Sequence, residues 1–322
     1  MNRLAYLRAA SLAEAKRALA APGSMILAGG TTVVDLAKLD ALKPDILVDI
    51  GALAALDGVD VAQGRLRIGA LARMADVARN AEVRRLAPGI VQSLELAASA
   101  QIRNMATIGG NILQRTRCAY FRDARTYAAC NRRAPGSGCA AAGGVTHGHA
   151  ILGISDACMA TYPGDLAVML AALDAVVHTD LRDLPLLDLF AEAGSGTETV
   201  LAPDEIVTAV SVAADAAAAR SSYLKVRDRR SYEFASVSVA LAVGGTGDRP
   251  QVRVAVGGVA TKPWRLPSVE AVLGAGSPTR ERIAAAAALA AEGARTTPDN
   301  AFKTRLLTRS LERALLLALE AS

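Results

Sequence analysis

The sequence predicts an α+β fold, and three features carry that reading. Pro22 to Ile50 runs from a short apolar strand through a glycine pair and a helix to a second strand, a βαβ-like unit. A further strand-and-helix stretch from about Leu66 ends in a second glycine pair, Gly109-Gly110. Beyond an alanine-rich break at 213–222, strands come first and helices after. The strand connections there, such as Gly244 to Gln251, are too short for a crossover, so an antiparallel sheet with helices packed on it is expected.

The first residues, MNRLAYLRAASLAEAKRALAA, read as a short strand and an amphipathic helix, and Arg8, Lys16 and Arg17 break the apolar run a signal peptide needs. Met25 to Ala28 is the next strand, Gly29-Gly30 ends it, Thr31 or Thr32 caps a helix through about Leu39, and Ile46 to Asp49 is a strand again. Two glycines let backbone approach a ligand closely, and the amides and hydroxyls after them suit an anion such as a diphosphate. Turns of this kind also occur in α/β proteins without a ligand, and the stretch lacks the GxGxxG of an ordinary dinucleotide site. An apolar helix carrying Leu94, Leu96 and Ala97 then leads through Gln101 to Met105 into Thr107-Ile108-Gly109-Gly110-Asn111. A pair of threonine-flanked glycine turns fits a dinucleotide held between subdomains, with backbone donors from both sides.

PGDLAVMLAALDAVVHTD reads as a helix into a strand, with Asp165 at the cap position, and EIVTAVSV as another strand. The last lobe has strands at Tyr223 to Val226, Ala235 to Val243 and Val252 to Val259, then helices near Arg280 to Ala291 and Ala301 to Glu320. The final helix sets apolar residues at helical spacing opposite arginines, so it packs on the sheet. Strand alternation alone puts Lys225 at the surface, and Trp264 is a packing anchor.

At 322 residues and 52% hydrophobic, the chain has room for two domains, or one domain with a lobe, without covalent staples. Its longest apolar runs are cut by acids before the ~20 residues of a membrane span. Aromatics are only 3%, and no stacking platform or recognition helix is evident, which argues against nucleic acid as partner.

All four cysteines, Cys118, Cys130, Cys139 and Cys158, lie between Thr107 and Cys158, separated by eleven, eight and eighteen residues. Disulfides suit small secreted domains, and zinc sites usually draw thiols from short C-x2-4-C pairs, of which there are none. Four thiolates around an iron-sulfur cluster tolerate irregular spacing, so the spacing permits that reading without proving it. Between Gln101 and Arg133, seven arginines (Arg103, Arg115, Arg117, Arg122, Arg125, Arg132, Arg133) against the single acid Asp123 would favour an anionic cluster, while a solvated basic loop or a surface for an acidic partner are the alternatives. His147, His149 and His178 are scattered and receive no chemical role.

LAGGTTVVDLAK, QIRNMATIGGNILQ, YPGDLAVMLAALDA and KVRDRRSYEFASVSVAL, spread in order over most of the chain, resemble the flavin-carrying subunit of the molybdenum hydroxylases, the xanthine dehydrogenase and aldehyde oxidase family. NILQRTRCAYFRD, CNRRAPGSGCAA and HAILGISDACMATYPGD look most like the medium subunit of periplasmic-type bacterial aldehyde oxidoreductases, which carries FAD and a 4Fe-4S cluster. The resemblance implies two FAD-binding subdomains of the vanillyl-alcohol-oxidase/p-cresol-methylhydroxylase type, at 1–57 and 58–216, the second with a cysteine-rich insert at about 114–160. A C-terminal α+β domain at 217–322 completes the expected organisation. By the same resemblance Ile26, Leu27, Ala28, Gly29, Gly30, Thr31, Thr32 and Val33 would wrap the FAD diphosphate. Thr107, Ile108, Gly109, Gly110 and Asn111 would add contacts, Asp165 and Lys225 would hold polar parts of FAD, and Cys118, Cys130, Cys139 and Cys158 would ligate the 4Fe-4S cluster. Tyr162 stands where the family is expected to carry histidine, and its role is unassigned.

The function so implied is electron transfer within a molybdenum-dependent aldehyde oxidoreductase, with no acid, base or nucleophile on this chain. A large subunit with the molybdenum cofactor would oxidise the aldehyde, a small subunit with 2Fe-2S clusters would relay electrons, and FAD here would pass them to an external acceptor. The assembly would be a heterotrimer or a dimer of heterotrimers, without membrane or nucleic acid. With no signal peptide in the chain, it would be periplasmic by export with a partner, or cytoplasmic. A self-sufficient flavin oxidase and a zinc-stapled binding subunit without redox function are the competing readings.

Overall fold

The protein is described from a computed structural model that covers residues 3–245 and 250–320. Three sheets organise it. Strands β1 (Ala5–Arg8), β2 (Ser24–Leu27) and β3 (Ile46–Asp49) form a parallel sheet in the order β1-β3-β2. Its crossovers are the helices Leu12–Leu19 and Val33–Lys38. Ser11 caps the first of these by accepting from the Glu14 amide at 3.2 Å, while the Glu14 carboxylate accepts from the Ala10 amide at 2.8 Å. Thr32 occupies the cap position of the second, but its side chain makes no capping bond.

Strands β4 (Val59–Ala62), β5 (Arg65–Gly69), β6 (Val176–Thr179), β7 (Asp183–Pro185) and β8 (Val207–Ala213) form an antiparallel sheet, ordered β4-β5-β8-β6-β7. The β4–β5 hairpin turns through Gln63 and Gly64, both at positive φ (51° and 69°), the geometry that matches the twist of paired strands. Helices Met74–Arg79, Pro88–Glu95 and Asp165–Ala172 share the largest core with this sheet, and Ile108–Ile112 packs against β5 and β8. Every residue of Asp165–Ala172 is buried, so this helix is wrapped on all sides.

The third sheet, β12-β11-β10-β9, is antiparallel, with β9 Ser221–Val226, β10 Val237–Gly244, β11 Gln251–Gly257 and β12 Trp264–Arg265. The connection between β10 and β11 passes through residues 246–249, which lie outside the described residues. On β10 the alternation separates two cores. Val237, Val239, Leu241 and Val243 face the helices Pro267–Gly274, Arg280–Ala288 and Phe302–Glu320, whereas Ala240 and Ala242 face the core that contains Asp165–Ala172. Small residues on that side let the helix approach, to the point that a Cβ on Gly257 would fall 2.5 Å from Val168. The alanine-rich stretch between β8 and β9 is ordered: Asp215 caps a one-turn helix, Ala216–Ala219, and β9 starts at Ser221. The helix Pro267–Gly274 starts with Pro267 in its first turn, where the missing amide costs nothing. Trp264 packs against the C-terminal core, as expected.

The first two sheets meet at the glycine turns. A Cβ on Gly29 would lie 2.1 Å from the Met105 carbonyl oxygen, and one on Gly109 would lie 3.0 Å from the Ala70 Cβ. Backbone thus packs on backbone, and only glycine permits that spacing at 29. Among the described residues no helix is long and apolar enough to cross a membrane.

Gly29→Ala is expected to destabilise the protein by about 1–3 kcal/mol, since its methyl group must displace the Met105 backbone. Gly274→Ala, where a Cβ meets nothing within 4 Å, is expected to be neutral or to stabilise by up to about 1 kcal/mol. Thermal unfolding of both variants is the check, and equal melting temperatures would contradict the close approach.

Candidate functional site

Two cavities open on either side of the glycine turns. One, about 400 Å³, is lined mainly by apolar groups including Ile26, Ala28, Leu201 and Ile206; the other, about 530 Å³, is more polar and is lined by Asn111, Arg117, Arg122 and Asp165 among others. Thr31, Thr32 and Gly110 line both and form their common rim. The amides of Thr31 and Thr32 have no hydrogen-bond partner among the described residues, and both residues stand at the rim.

The second turn differs from expectation. Ile108 and Gly109 donate their amides to the Ala72 and Ala70 carbonyls at 2.9 and 2.8 Å, Asn111 donates to the Thr107 carbonyl at 2.8 Å, and Gly110 turns toward the Thr107 hydroxyl. These donors are consumed inside the protein, so the turn supplies a small-residue wall in place of amide donors. Asn111 Oδ1, by contrast, is buried without a partner. Of the sequence-predicted residues, Ile26, Ala28, Gly29, Gly30, Thr31, Thr32, Val33, Thr107, Gly109 and Gly110 line the apolar cavity, and Asn111 and Asp165 line the polar one; Leu27, Ile108 and Lys225 line neither.

Asp165 is not a helix cap. It stands in the first turn after Gly164, buried, with Oδ1 accepting from the Tyr223 hydroxyl at 2.7 Å and Oδ2 from the Lys225 ammonium at 2.8 Å. The Lys225 side chain is 1% exposed, not at the surface as strand alternation implied, and it also donates to the Leu96 carbonyl at 3.1 Å. It stands behind Asp165 and holds the carboxylate. Burial pushes the Asp165 carboxyl above the usual carboxylate range, and Lys225 opposes that shift. Tyr162 is buried and donates to the Ile112 carbonyl at 2.8 Å, which fastens the chain entering this helix to the second glycine turn.

The four cysteines converge. All are free, and all line one small cavity of about 20 Å³ together with Phe121, Arg132 and His149. Cys130 and Cys139 sit opposite each other in a short antiparallel bridge, closed by Asn131 donating to the Gly138 carbonyl at 2.8 Å. Burial pushes the Cys118 thiol up to about 11. Among the described residues, no three or more His, Cys, Asp or Glu side chains stand close enough to hold a metal ion directly.

The arginines behave differently from a uniform positive screen. Among the described residues Arg132 is the one arginine that donates to a cysteine sulfur, to Cys158 at 3.1 Å. Arg133 binds carbonyls of 120 and 121, Arg103 those of 97 and 98, Arg115 pairs with Glu198 at 2.7 Å and Arg125 with Asp40 at 2.8 Å. His149, given no role from the sequence, places Nε2 3.3 Å from the Cys118 sulfur and leaves Nδ1 buried without a partner. Nothing in the spacing of the three histidines singles it out.

The sequence matches the FAD binding domain in molybdopterin dehydrogenase over residues 2–214 and the CO dehydrogenase flavoprotein C-terminal domain over residues 222–318. It is 43% identical to the aldehyde oxidoreductase FAD-binding subunit of Escherichia coli, over 98% of each chain. Against the glyceraldehyde dehydrogenase medium chain of Sulfolobus acidocaldarius it is 30% identical, over 82% of this chain and 79% of that one. Its fold is that of a chain of the carbon monoxide dehydrogenase of Hydrogenophaga pseudoflava, with a TM-score of 0.77 at 22% identity, covering 99% of this chain and 98% of that one.

Asp165→Asn leaves the Lys225 ammonium buried without its counter-charge and is expected to cost about 3–5 kcal/mol. Replacing both, Asp165→Asn with Lys225→Met, is expected to recover much of that loss. Denaturant unfolding of the two variants distinguishes the cases; a single variant as stable as the parent would contradict a structural ion pair.

Proposed function

The chain belongs to the FAD-binding medium subunits of the molybdenum hydroxylases, and from that premise we propose that it carries electrons from partner subunits through FAD to an external acceptor, with a 4Fe-4S cluster on its four cysteines. It is an oxidoreductase subunit of the aldehyde oxidoreductase and xanthine dehydrogenase family.

The observation that carries the FAD assignment is the pair of cavities joined at Thr31, Thr32 and Gly110. FAD has two ends and an anionic middle. The apolar cavity suits the adenosine end, the free amides of the rim suit the diphosphate, and the cavity with Asp165 and the unpartnered Asn111 Oδ1 suits the polar edge of the ring. Bound FAD would supply reversible two-electron redox chemistry. The protein's part is to hold and orient: Asp165 is fixed by Tyr223 and Lys225, and Tyr232 and Phe234 flank the ring cavity.

For the cluster, the support is that four thiols from separate loops line one void. A single zinc ion at about 2.3 Å from each sulfur would draw them to within about 3.8 Å of one another, whereas four irons let the thiolates stand further apart. The void is close to one water in size, so the cysteine-bearing segments would have to part for a cluster to enter. Arg132 at Cys158 would offset the negative charge of the loaded site. A molybdenum-cofactor large subunit, oxidising an aldehyde as the name of the Escherichia coli relative suggests, and a 2Fe-2S small subunit are the proposed partners. The cluster is read as a structural clip or a side path.

Anaerobically purified protein is expected to contain about four iron, about four acid-labile sulfide and one FAD per chain. FAD without iron would remove the cluster from the account, and zinc with no flavin would overturn the account as a whole.

A further inference from the structure

We propose that Arg117 and Arg122, both from the cysteine-rich insert, bind the negatively charged part of FAD, so that the insert forms a wall of the flavin site as well as a pocket for its own cysteines. The proposal rests on the reading that the joined cavities hold FAD.

Both guanidinium groups line the polar cavity, and both lean on one carboxylate. Arg122 Nη2 lies 2.5 Å and Arg117 Nη1 3.5 Å from Asp35 Oδ2. Two cations on one anion leave a positive charge uncompensated at the cavity wall. Each also keeps a donor idle: Arg117 Nε and Arg122 Nη1 are buried with no hydrogen-bond partner among the described residues. A buried charged donor left unpaired is costly, and a bound anion is one partner that would relieve it. Asn111 lines the same cavity.

The two side chains are held in place independently of a ligand. Arg117 stacks over the Phe234 ring at 4.9 Å, and Phe234 comes from the C-terminal lobe. Asp35 lies on the helix that follows the first glycine turn. The insert, the first sheet unit and the lobe therefore meet at this guanidinium pair. Arg117 directly precedes Cys118, and the Arg122 amide donates to the Cys118 carbonyl at 3.1 Å, so the turn that places a cysteine also places both cations.

The charge they meet is either the FAD diphosphate, next to the shared rim, or the pyrimidine edge of the ring, which gains negative charge when reduced. The test is FAD titration of the deflavinated full chain, followed by fluorescence quenching, with the flavin midpoint potential measured on the same samples. Arg117→Met and Arg122→Met are each expected to weaken FAD binding about tenfold or more, equivalent to about 1.4 kcal/mol, if the diphosphate is the partner. If it is the ring, binding of oxidised FAD stays unchanged and the midpoint potential falls by about 30 mV for each tenfold loss of preference for the reduced form. Arg122→Lys, which keeps the charge and loses the fork, is expected to fall between, and Arg125→Met, whose partner is Asp40 outside the cavity, to match the parent. Parent-like binding and potential in both Met variants would overturn the inference while leaving the FAD reading intact. A parent chain that binds no FAD would contradict the reading itself.

Discussion

The constraint on which the rest depends is the contact of backbone with backbone at Gly29. With the position a Cβ would take only 2.1 Å from the Met105 carbonyl, the parallel sheet unit and the antiparallel unit close on each other with no side chain between them. That closeness places Thr31 and Thr32 against Gly110 and makes two cavities share one rim. A bulky side chain at the contact would separate the turns and split the site. The free amides at the rim follow from the same geometry, since the turn between β2 and its helix is spent on the approach and leaves its donors unpaired.

A second fixed point is buried deeper. Asp165, Tyr223 and Lys225 tie the fully wrapped helix Asp165–Ala172 to β9, and the alanines of β10 let that helix seat against the third sheet. The C-terminal lobe is therefore part of the wall of the polar cavity and not an appendage. Removing one partner of such a pair is expensive because the survivor stays desolvated. The arrangement keeps a carboxylate at the cavity wall at an orientation set by two donors, and the lobe delivers Phe234 to the same cavity on the far side.

Periodicity made most of the fold legible. The strand at Ile46 to Asp49, the helix-to-strand run after Asp165 and the long C-terminal helix lie where their patterns place them, because each buries one regular face. What local pattern could not show is what distant chain brings. Lys225 reads as a surface charge on its strand, yet Asp165, sixty residues earlier, buries it. His149 approaches Cys118 only through the folding of the insert. The two glycine turns look equivalent in sequence, but the amides of the second are taken up by Ala70, Ala72 and Thr107, so they differ as donors. The arginine-rich stretch reads as one basic patch and resolves into separate pairings, because Glu198, Asp35 and Asp40 come from other segments.

The central claim is that one FAD spans both cavities with its diphosphate at the shared rim. A crystal structure of the flavin-loaded chain tests it most directly. Phosphate oxygens within hydrogen-bond distance of the Thr31 and Thr32 amides, with adenine beside Ile26 and the ring beside Asp165, is the predicted result. Flavin bound in the reverse direction, or away from the rim, would contradict it.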